Sequence, residues 1–121
     1  MEGFQSVSCA AIAAIATFCC ISSPARADAT ARMLKETCQA YPAFNTDTAF
    51  CIGYVAGTLD QYHFYAKTLG IRPFCQPDEL TGEKLIPILK QYLGELRSEE
   101  LADQAASAIF HTMLKRYPCP N

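Results

Sequence analysis

Few residues of this chain have the types and spacing that catalysis requires. The sequence contains two histidines, His63 and His111, and Asp60 precedes the first of them by three residues, which is the spacing of neighbours on one helix face. Such an Asp–His pair could orient an imidazole for proton transfer. The sequence has no H-E-x-x-H, no G-x-S-x-G and no phosphate-binding glycine loop. We therefore expect no catalytic residue, no metal site and no cofactor, and we interpret both histidines as partly solvated polar side chains.

The cysteines carry the clearest chemical signal. Three of the seven, Cys9, Cys19 and Cys20, lie in an apolar N-terminal stretch. The remaining four are widely spaced, whereas zinc ligands come in close pairs. Four cysteines in a small exported domain are typical of two disulfides. The four are Cys38, Cys51, Cys75 and Cys119.

The N-terminus resembles an export signal. Residues 7–21 are almost entirely apolar, but the run is shorter than the roughly 20 residues needed to span a bilayer. Ala25-Arg26-Ala27 matches the A-x-A pattern of signal peptidase sites. We expect a signal peptide over 1–27, cleavage before Asp28 and a periplasmic protein with no membrane segment after cleavage. The region before the apolar run has Glu2 and no basic residue, so a membrane anchor stays open.

Length and charge restrict the function classes. A chain of 121 residues supports one domain, which we place at 28–121. Its formal charge of −2 offers no basic excess for nucleic acid. Half of the residues are apolar, which excludes a disordered chain.

The elements that position these residues are helical. Leu and Ala outnumber Val and Ile, and the apolar residues recur at helical spacing. Short connections between such helices favour antiparallel neighbours. We predict an all-α fold, a small disulfide-stapled antiparallel bundle of about four helices. They run over Ala29–Ala40, from Asp47 or Thr48 to Leu69, from Thr81 onward, and from Ser98 to just before Pro118.

The antiparallel arrangement selects one disulfide pairing. It brings Cys38, near the end of the first helix, to Cys51, near the start of the second. It also brings Cys75, just before the third helix, to Cys119, just after the fourth. We therefore predict the disulfides Cys38–Cys51 and Cys75–Cys119.

Details of three helices give further expectations. The second helix has two apolar faces, one of which includes Leu69. The other includes Tyr54 and Tyr65, and we interpret it equally as a candidate dimer surface or as part of the core. Its Gly53 and Gly57 form a G-x-x-x-G, which we interpret as core packing. Pro87 is expected to bend the third helix near its first turn. Ser98 is expected to be the N-cap of the fourth, with Glu99 and Glu100 at the positive end of its dipole.

The order of short motifs resembles one family. The segment 50–60 is similar to the C-x-G-Y-x-x-G-x-x-D helix of the Rap/Tai immunity proteins of type VI secretion systems. Phe74-Cys75-Gln76-Pro77 with Leu80-Thr81 resembles the family's C-x-P…(V/L)-T segment before its third helix. Residues 88–93 and the terminal Tyr117-Pro118-Cys119 resemble two further motifs, so the likeness covers about 38–119.

The resemblance implies a function without catalysis. It implies a periplasmic helical homodimer that binds a secreted peptidoglycan amidase and occludes its substrate cleft. After the third helix the chain lacks the family's His/Asn-Pro-Glu link. We expect the residues found there to contact the partner, with Arg97 as anchor because arginine is favoured at interface hot spots; a simple solvated charge is the alternative. These residues are Gly94, Glu95, Arg97, Ser98 and Glu99.

Two other classes stay open from the sequence. One is a periplasmic stress chaperone that exposes apolar surface when acidified. The other is an orphan binding module with a small-molecule pocket, or an enzyme built around Asp60 and His63.

Overall fold

The computed structural model describes residues 28–121, so the expected signal peptide over 1–27 lies outside the described residues. Four α-helices follow one another, and residues 28–121 contain no strand. The predicted all-α class is confirmed. We number the helices α1 (Ala31–Cys38), α2 (Thr46–Phe64), α3 (Gly82–Glu95) and α4 (Ala105–Arg116). No helix within this range is long and apolar enough to cross a bilayer.

The core forms where the apolar faces of the four helices meet. On α3 the predicted stripe is buried at Leu85, Leu89 and Leu93. Val55 of α2 and Leu34 of α1 are also fully buried against it. The inner face of α4 was predicted from helical spacing and is buried at every predicted position within the helix. Those positions are Ala105, Ala108, Ile109, Thr112 and Met113.

Both predicted disulfides are present. Cys38–Cys51 joins the end of α1 to the start of α2, and both side chains are completely buried. Cys75–Cys119 joins the segment before α3 to the segment after α4. The amide of Cys75 also donates to the carbonyl of Tyr117 at 2.8 Å. The bundle is therefore closed covalently at two places.

Side-chain caps set the starts of the first three helices. Thr30 accepts a hydrogen bond from the amide of Met33 at 3.2 Å, so α1 begins at Ala31 rather than Ala29. Asn45 accepts from the amide of Thr48 at 2.8 Å, so α2 begins at Thr46, slightly before the predicted start. Thr81 accepts from the amide of Lys84 at 3.3 Å, so α3 begins at Gly82, next to the predicted start near Thr81. Each cap satisfies an amide that has no partner inside its helix.

The end of α2 departs from the predicted pattern. The chain continues as a π-helical segment over Tyr65–Leu69 and stops at Gly70, whose φ is 67°. Gly70 directly follows the predicted end at Leu69, and a left-handed conformation favours glycine. The expectation that Leu69 continues the apolar face was wrong, since this side chain is exposed. A π-helix has more residues per turn, so the last turn rotates Leu69 out of the buried face.

The start of the fourth helix was also predicted wrongly. Ser98 lies in a turn, a single 3₁₀ turn covers Glu100–Ala102, and α4 begins only at Ala105. Between them the chain is extended and pairs with the segment before α1. The amide of Ala105 donates to the carbonyl of Ala29 at 2.8 Å, which replaces the side-chain cap that the helix lacks.

The turn after α1 is attached to α3. Pro87 has no amide hydrogen, so the carbonyl of Glu83 lacks its usual helical partner. The hydroxyl of Tyr41 donates to that carbonyl at 3.4 Å. The Lys90 ammonium donates to the carbonyls of Gln39 and Tyr41 at 3.0 and 3.2 Å. These bonds connect two segments that are distant in the sequence.

Glycine permits close contact at the start of α3, not in the G-x-x-x-G pair of α2. A Cβ added at Gly82 would lie 3.2 Å from the backbone nitrogen of Ala56. A Cβ added at Gly53 or Gly57 would meet nothing within 4 Å, and both glycines are exposed. The interpretation of the G-x-x-x-G as core packing within this chain was therefore wrong.

Gly82→Leu should destabilise the fold, because its side chain has to displace the backbone of α2. We expect a loss of about 1–3 kcal/mol, measured by urea denaturation with the disulfides intact. Gly94→Ala, on the same helix, is the matched control: its Cβ meets nothing within 4 Å, and it should be neutral or gain up to about 1 kcal/mol. Equal effects of the two substitutions would contradict the close contact at Gly82.

Candidate partner-binding surface

The five residues predicted to contact a partner form one exposed surface, which we call the α3–α4 corner (residues 94–99). Gly94 and Glu95 end α3, and Arg97, Ser98 and Glu99 form the turn that follows. All five are exposed. The structure brings them together because they are consecutive along the chain and the chain reverses direction here.

Arg97 is exposed but held in place by two carboxylates. Its guanidinium nitrogens lie 3.2 Å from Glu99 Oε1 and 3.4 Å from Glu100 Oε1. Its side chain remains 70% exposed. Solvated ion pairs of this kind contribute little to stability. They do limit the directions in which the guanidinium can point, which lowers the entropy cost of binding a partner.

Glu100 organises the turn around Arg97. Its Oε2 accepts the backbone amide of Arg97 at 2.7 Å, while the carbonyl of Arg97 accepts the amides of Glu100 and Leu101, each at 3.1 Å. The backbone and side-chain hydrogen bonds from Arg97 lower the pKa of Glu100 below its ordinary value of 4.5. From the sequence, Glu100 was expected only to lie at the positive end of a helix dipole. The spacing between Arg97 and Glu100 is that of a capping box, which was the available signal.

Two neighbouring helices support the corner from behind. Arg32 of α1 donates from Nη2 to the carbonyl of Ser98 at 3.2 Å. Lys115 of α4 lies 3.5 Å from Glu95 Oε2. The corner is therefore an exposed turn attached to both the first and the last helix.

The candidate dimer surface lies on α2. Tyr54 is half-buried, packs against the core and stacks on Phe50 with ring centroids 5.7 Å apart. Tyr65 is half-buried and its hydroxyl accepts a hydrogen bond from Gln61 Nε2 at 2.8 Å. The two tyrosines share a helix face with the exposed Gly57. Packing against the core thus accounts for the buried half of the Tyr54 side chain. The outer half of this helix face is not covered by any other segment of the described chain.

The residues considered for catalysis do not form a site. His111 Nδ1 lies 2.9 Å from the carbonyl of Ser107 in its own helix. Asp60 is exposed and His63 is half-buried, and no hydrogen bond joins them in the described structure. Residues 28–121 contain no group of three His, Cys, Asp or Glu residues that could hold a metal ion.

Comparison with known families decides the relationship. The family model for the Rap1a immunity proteins matches residues 30–119. The chain belongs to the Rap1a immunity proteins. The matched range contains all four helices and both disulfides of this Rap1a family member. No curated protein sequence matches the chain.

The hydrogen bond between Glu100 and Arg97 should be lost in acid, when the Glu100 carboxylate is protonated. The lowered pKa means that the bond is fully present above pH 4.5 and is lost as the pH falls through the lower folded-state value. The Arg97 amide resonance should therefore follow a midpoint below 4.5 in an NMR titration. In Glu100→Gln this dependence should disappear, whereas Glu36→Gln, an exposed position on α1, should leave it unchanged. A midpoint at or above 4.5 would refute the assignment.

Proposed function

We propose that this Rap1a family member is a periplasmic immunity protein that binds a type VI-secreted peptidoglycan amidase and blocks its active site. The observation that carries the proposal is the family match over residues 30–119. An amidase delivered by a sister cell acts on the cell wall, so an exported inhibitor meets it in the same compartment. Binding alone is sufficient for protection, and no catalytic residue is required.

The α3–α4 corner is the part of the surface that we assign to the amidase cleft. A turn can enter a concave substrate site that a flat helix face cannot reach. The corner offers the Arg97 guanidinium with donors free on its exposed side, and its backbone is already ordered by Glu100. An ordered turn pays less conformational entropy on binding than a loop that has to fold.

The two disulfides support export. Disulfides persist in oxidising compartments such as the periplasm and are rare in the cytosol. A small helical chain with Cys38–Cys51 buried in its core suits the periplasm, where an export signal over 1–27 would deliver it. Localisation outside the cytoplasm is therefore part of the proposal.

We assign the outer face of α2 to a homodimer contact. Gly53 and Gly57 leave this face without side chains and with nothing nearby in the chain, so a second helix can approach its backbone closely. Phe50, Tyr54 and Tyr65 flank the glycines and supply the aromatic area that interfaces favour. Two α2 helices packed in this way would leave both α3–α4 corners outside the contact.

The function is tested with the disulfide-bonded protein purified from the periplasm and the type VI-secreted proteins of its own strain. We expect one secreted cell-wall amidase to bind it in a stable complex and to lose activity on purified peptidoglycan at equimolar inhibitor. If every secreted amidase keeps full activity at saturating protein, the proposed function is wrong for this strain.

Arg97→Ala should weaken amidase binding about 30-fold or more, as expected for an interface hot spot. The free energy of unfolding should change by less than about 1 kcal/mol, because the ion pairs of Arg97 are solvated. Affinity is measured by surface plasmon resonance and stability by denaturation. Lys84→Ala removes an exposed cation at the opposite end of α3 from the corner and should leave the affinity unchanged. Equal affinities of the two variants for the amidase would show that Arg97 does not contribute to the interface.

Gly57→Glu should convert a dimer into a monomer. The new side chain has open space in the chain itself, so folding should not suffer, but its charge would be buried between two α2 helices. Sedimentation equilibrium measures the mass of both forms. Gln91→Glu adds the same charge at an exposed position of α3, outside this face, and should stay dimeric. A wild-type monomer, or a dimer that tolerates Gly57→Glu, would contradict this surface.

A further inference from the structure

A cavity of about 290 Å³ lies beyond the end of α2, away from the α3–α4 corner and next to Tyr65 of the candidate dimer surface. Its apolar side is a cluster of three aromatic rings from different segments: Tyr62, Phe74 and Phe110. Phe74 packs edge-on against Tyr62 and Phe110, with centroids 5.0 and 5.7 Å apart. Such mutually packed rings form a rigid apolar surface. The cavity is therefore preformed rather than a gap between mobile side chains.

A glutamine whose buried amide has no partner lies at the wall of this cavity. Gln76 lines it, and both Oε1 and Nε2 are buried with no hydrogen bond. A buried polar group left without a partner destabilises a fold, so buried groups of this kind are rare and need an explanation. An amide has one acceptor and two donors, which complement the N–H and C=O groups of a peptide bond. A bound peptide group would satisfy Gln76.

The charge at the cavity favours an anion. Lys67 and Arg72 line it and are exposed, and neither forms an ion pair within residues 28–121. Asp78 is the one carboxylate among the lining residues of the described chain. The lining thus carries two cations against one anion. Arginine in particular recognises carboxylates through paired hydrogen bonds.

The hydroxyl of Tyr62 adds a donor that does not depend on pH in the physiological range. Burial, with a smaller effect of Tyr54, raises the pKa of Tyr62 to about 12. The phenol therefore remains protonated when the cavity is in contact with neutral solvent.

We propose that this cavity binds the carboxyl end of a peptide chain whose last residue is apolar. The apolar side chain packs on the aromatic cluster, and the terminal carboxylate meets Arg72 and Lys67. The last peptide group pairs with Gln76, whose amide turns into the cavity and loses no hydrogen bond in doing so. The volume lies at the lower limit of ligand pockets, which suits one side chain and one peptide group rather than a larger ligand. Amidase inhibition through the α3–α4 corner does not depend on this site.

The test is an NMR titration of the ¹⁵N-labelled, disulfide-bonded protein with acetyl-Ala-Leu. The Gln76 side-chain amide resonances should shift and saturate, with a dissociation constant in the millimolar range. Acetyl-Ala-Leu-amide, which lacks the carboxylate, should bind about tenfold more weakly. Acetyl-Ala-Ala, which lacks most of the apolar side chain, should also bind at least about tenfold more weakly. No saturable shift at about 10 mM probe would overturn the proposal.

Two variants separate binding from folding. Gln76→Met keeps the side-chain length and removes the amide, so acetyl-Ala-Leu binding, followed through the aromatic resonances, should fall about tenfold while the melting temperature stays equal or rises. Arg72→Gln, at an exposed position, should abolish the preference for the carboxylate over the amide probe. Gln91→Met, on the exposed side of α3, is the control and should change neither quantity.

Opposite results would overturn the assignment. A lower melting temperature of Gln76→Met would show that this amide has a structural role, and unchanged probe selectivity in Arg72→Gln would exclude the carboxylate contact. The D-Leu isomer of the probe distinguishes two sources of the same chemistry. Preference for the L isomer identifies the carboxyl end of a protein, and preference for the D isomer identifies a non-ribosomal peptide that ends in a large apolar D-residue; both support the cavity.

Discussion

The arrangement of this bundle depends on a short backbone pairing between its first and last helices. The amide of Ala31 donates to the carbonyl of Asp103, and the amide of Ala105 donates to that of Ala29, each at 2.8 Å. The pairing requires an extended chain at Gln104, so α4 cannot begin earlier. The chain between α3 and α4 therefore has to turn before this point. The exposed α3–α4 corner is the consequence of that requirement.

The disulfides constrain the parts of the bundle that this pairing does not reach. Cys38–Cys51 ties the far end of α1 to α2, and Cys75–Cys119 ties the chain end to the segment before α3. In the chain-entropy account, loops of these sequence separations contribute about 3 and 4 kcal/mol by restricting the unfolded chain. A core of this size leaves only a small margin of stability, so such contributions are a large part of it. With these contributions the fold remains stable although no other segment packs around the exposed corner and the aromatic cavity.

The sequence predicted those features that depend on local pattern. The stripe at Leu85, Leu89 and Leu93 has the helical period, and the cysteine pairing follows once the helices are placed. The start of α4 was wrong. Arg97 to Glu100 forms a capped turn, but the capping side chain is Glu100 rather than the predicted Ser98, and the pairing with Ala29 ends the turn after one 3₁₀ turn. A contact between segments so distant in the chain produces no repeating residue pattern in either segment, so it could not be predicted from the sequence.

The α3–α4 corner and the cavity also differ in whether the sequence alone could predict them. The α3–α4 corner could be placed from the sequence because its residues are consecutive, whereas the cavity combines Arg72, Gln76 and Phe110, which only folding brings together. Gln76 precedes α3 and the corner follows it, and a helix of 14 residues is about 20 Å long. A partner that contacts the corner therefore need not cover the cavity. Because no shared residue links the two surfaces, substitutions at Arg97 and at Gln76 should act additively on any partner that contacts both.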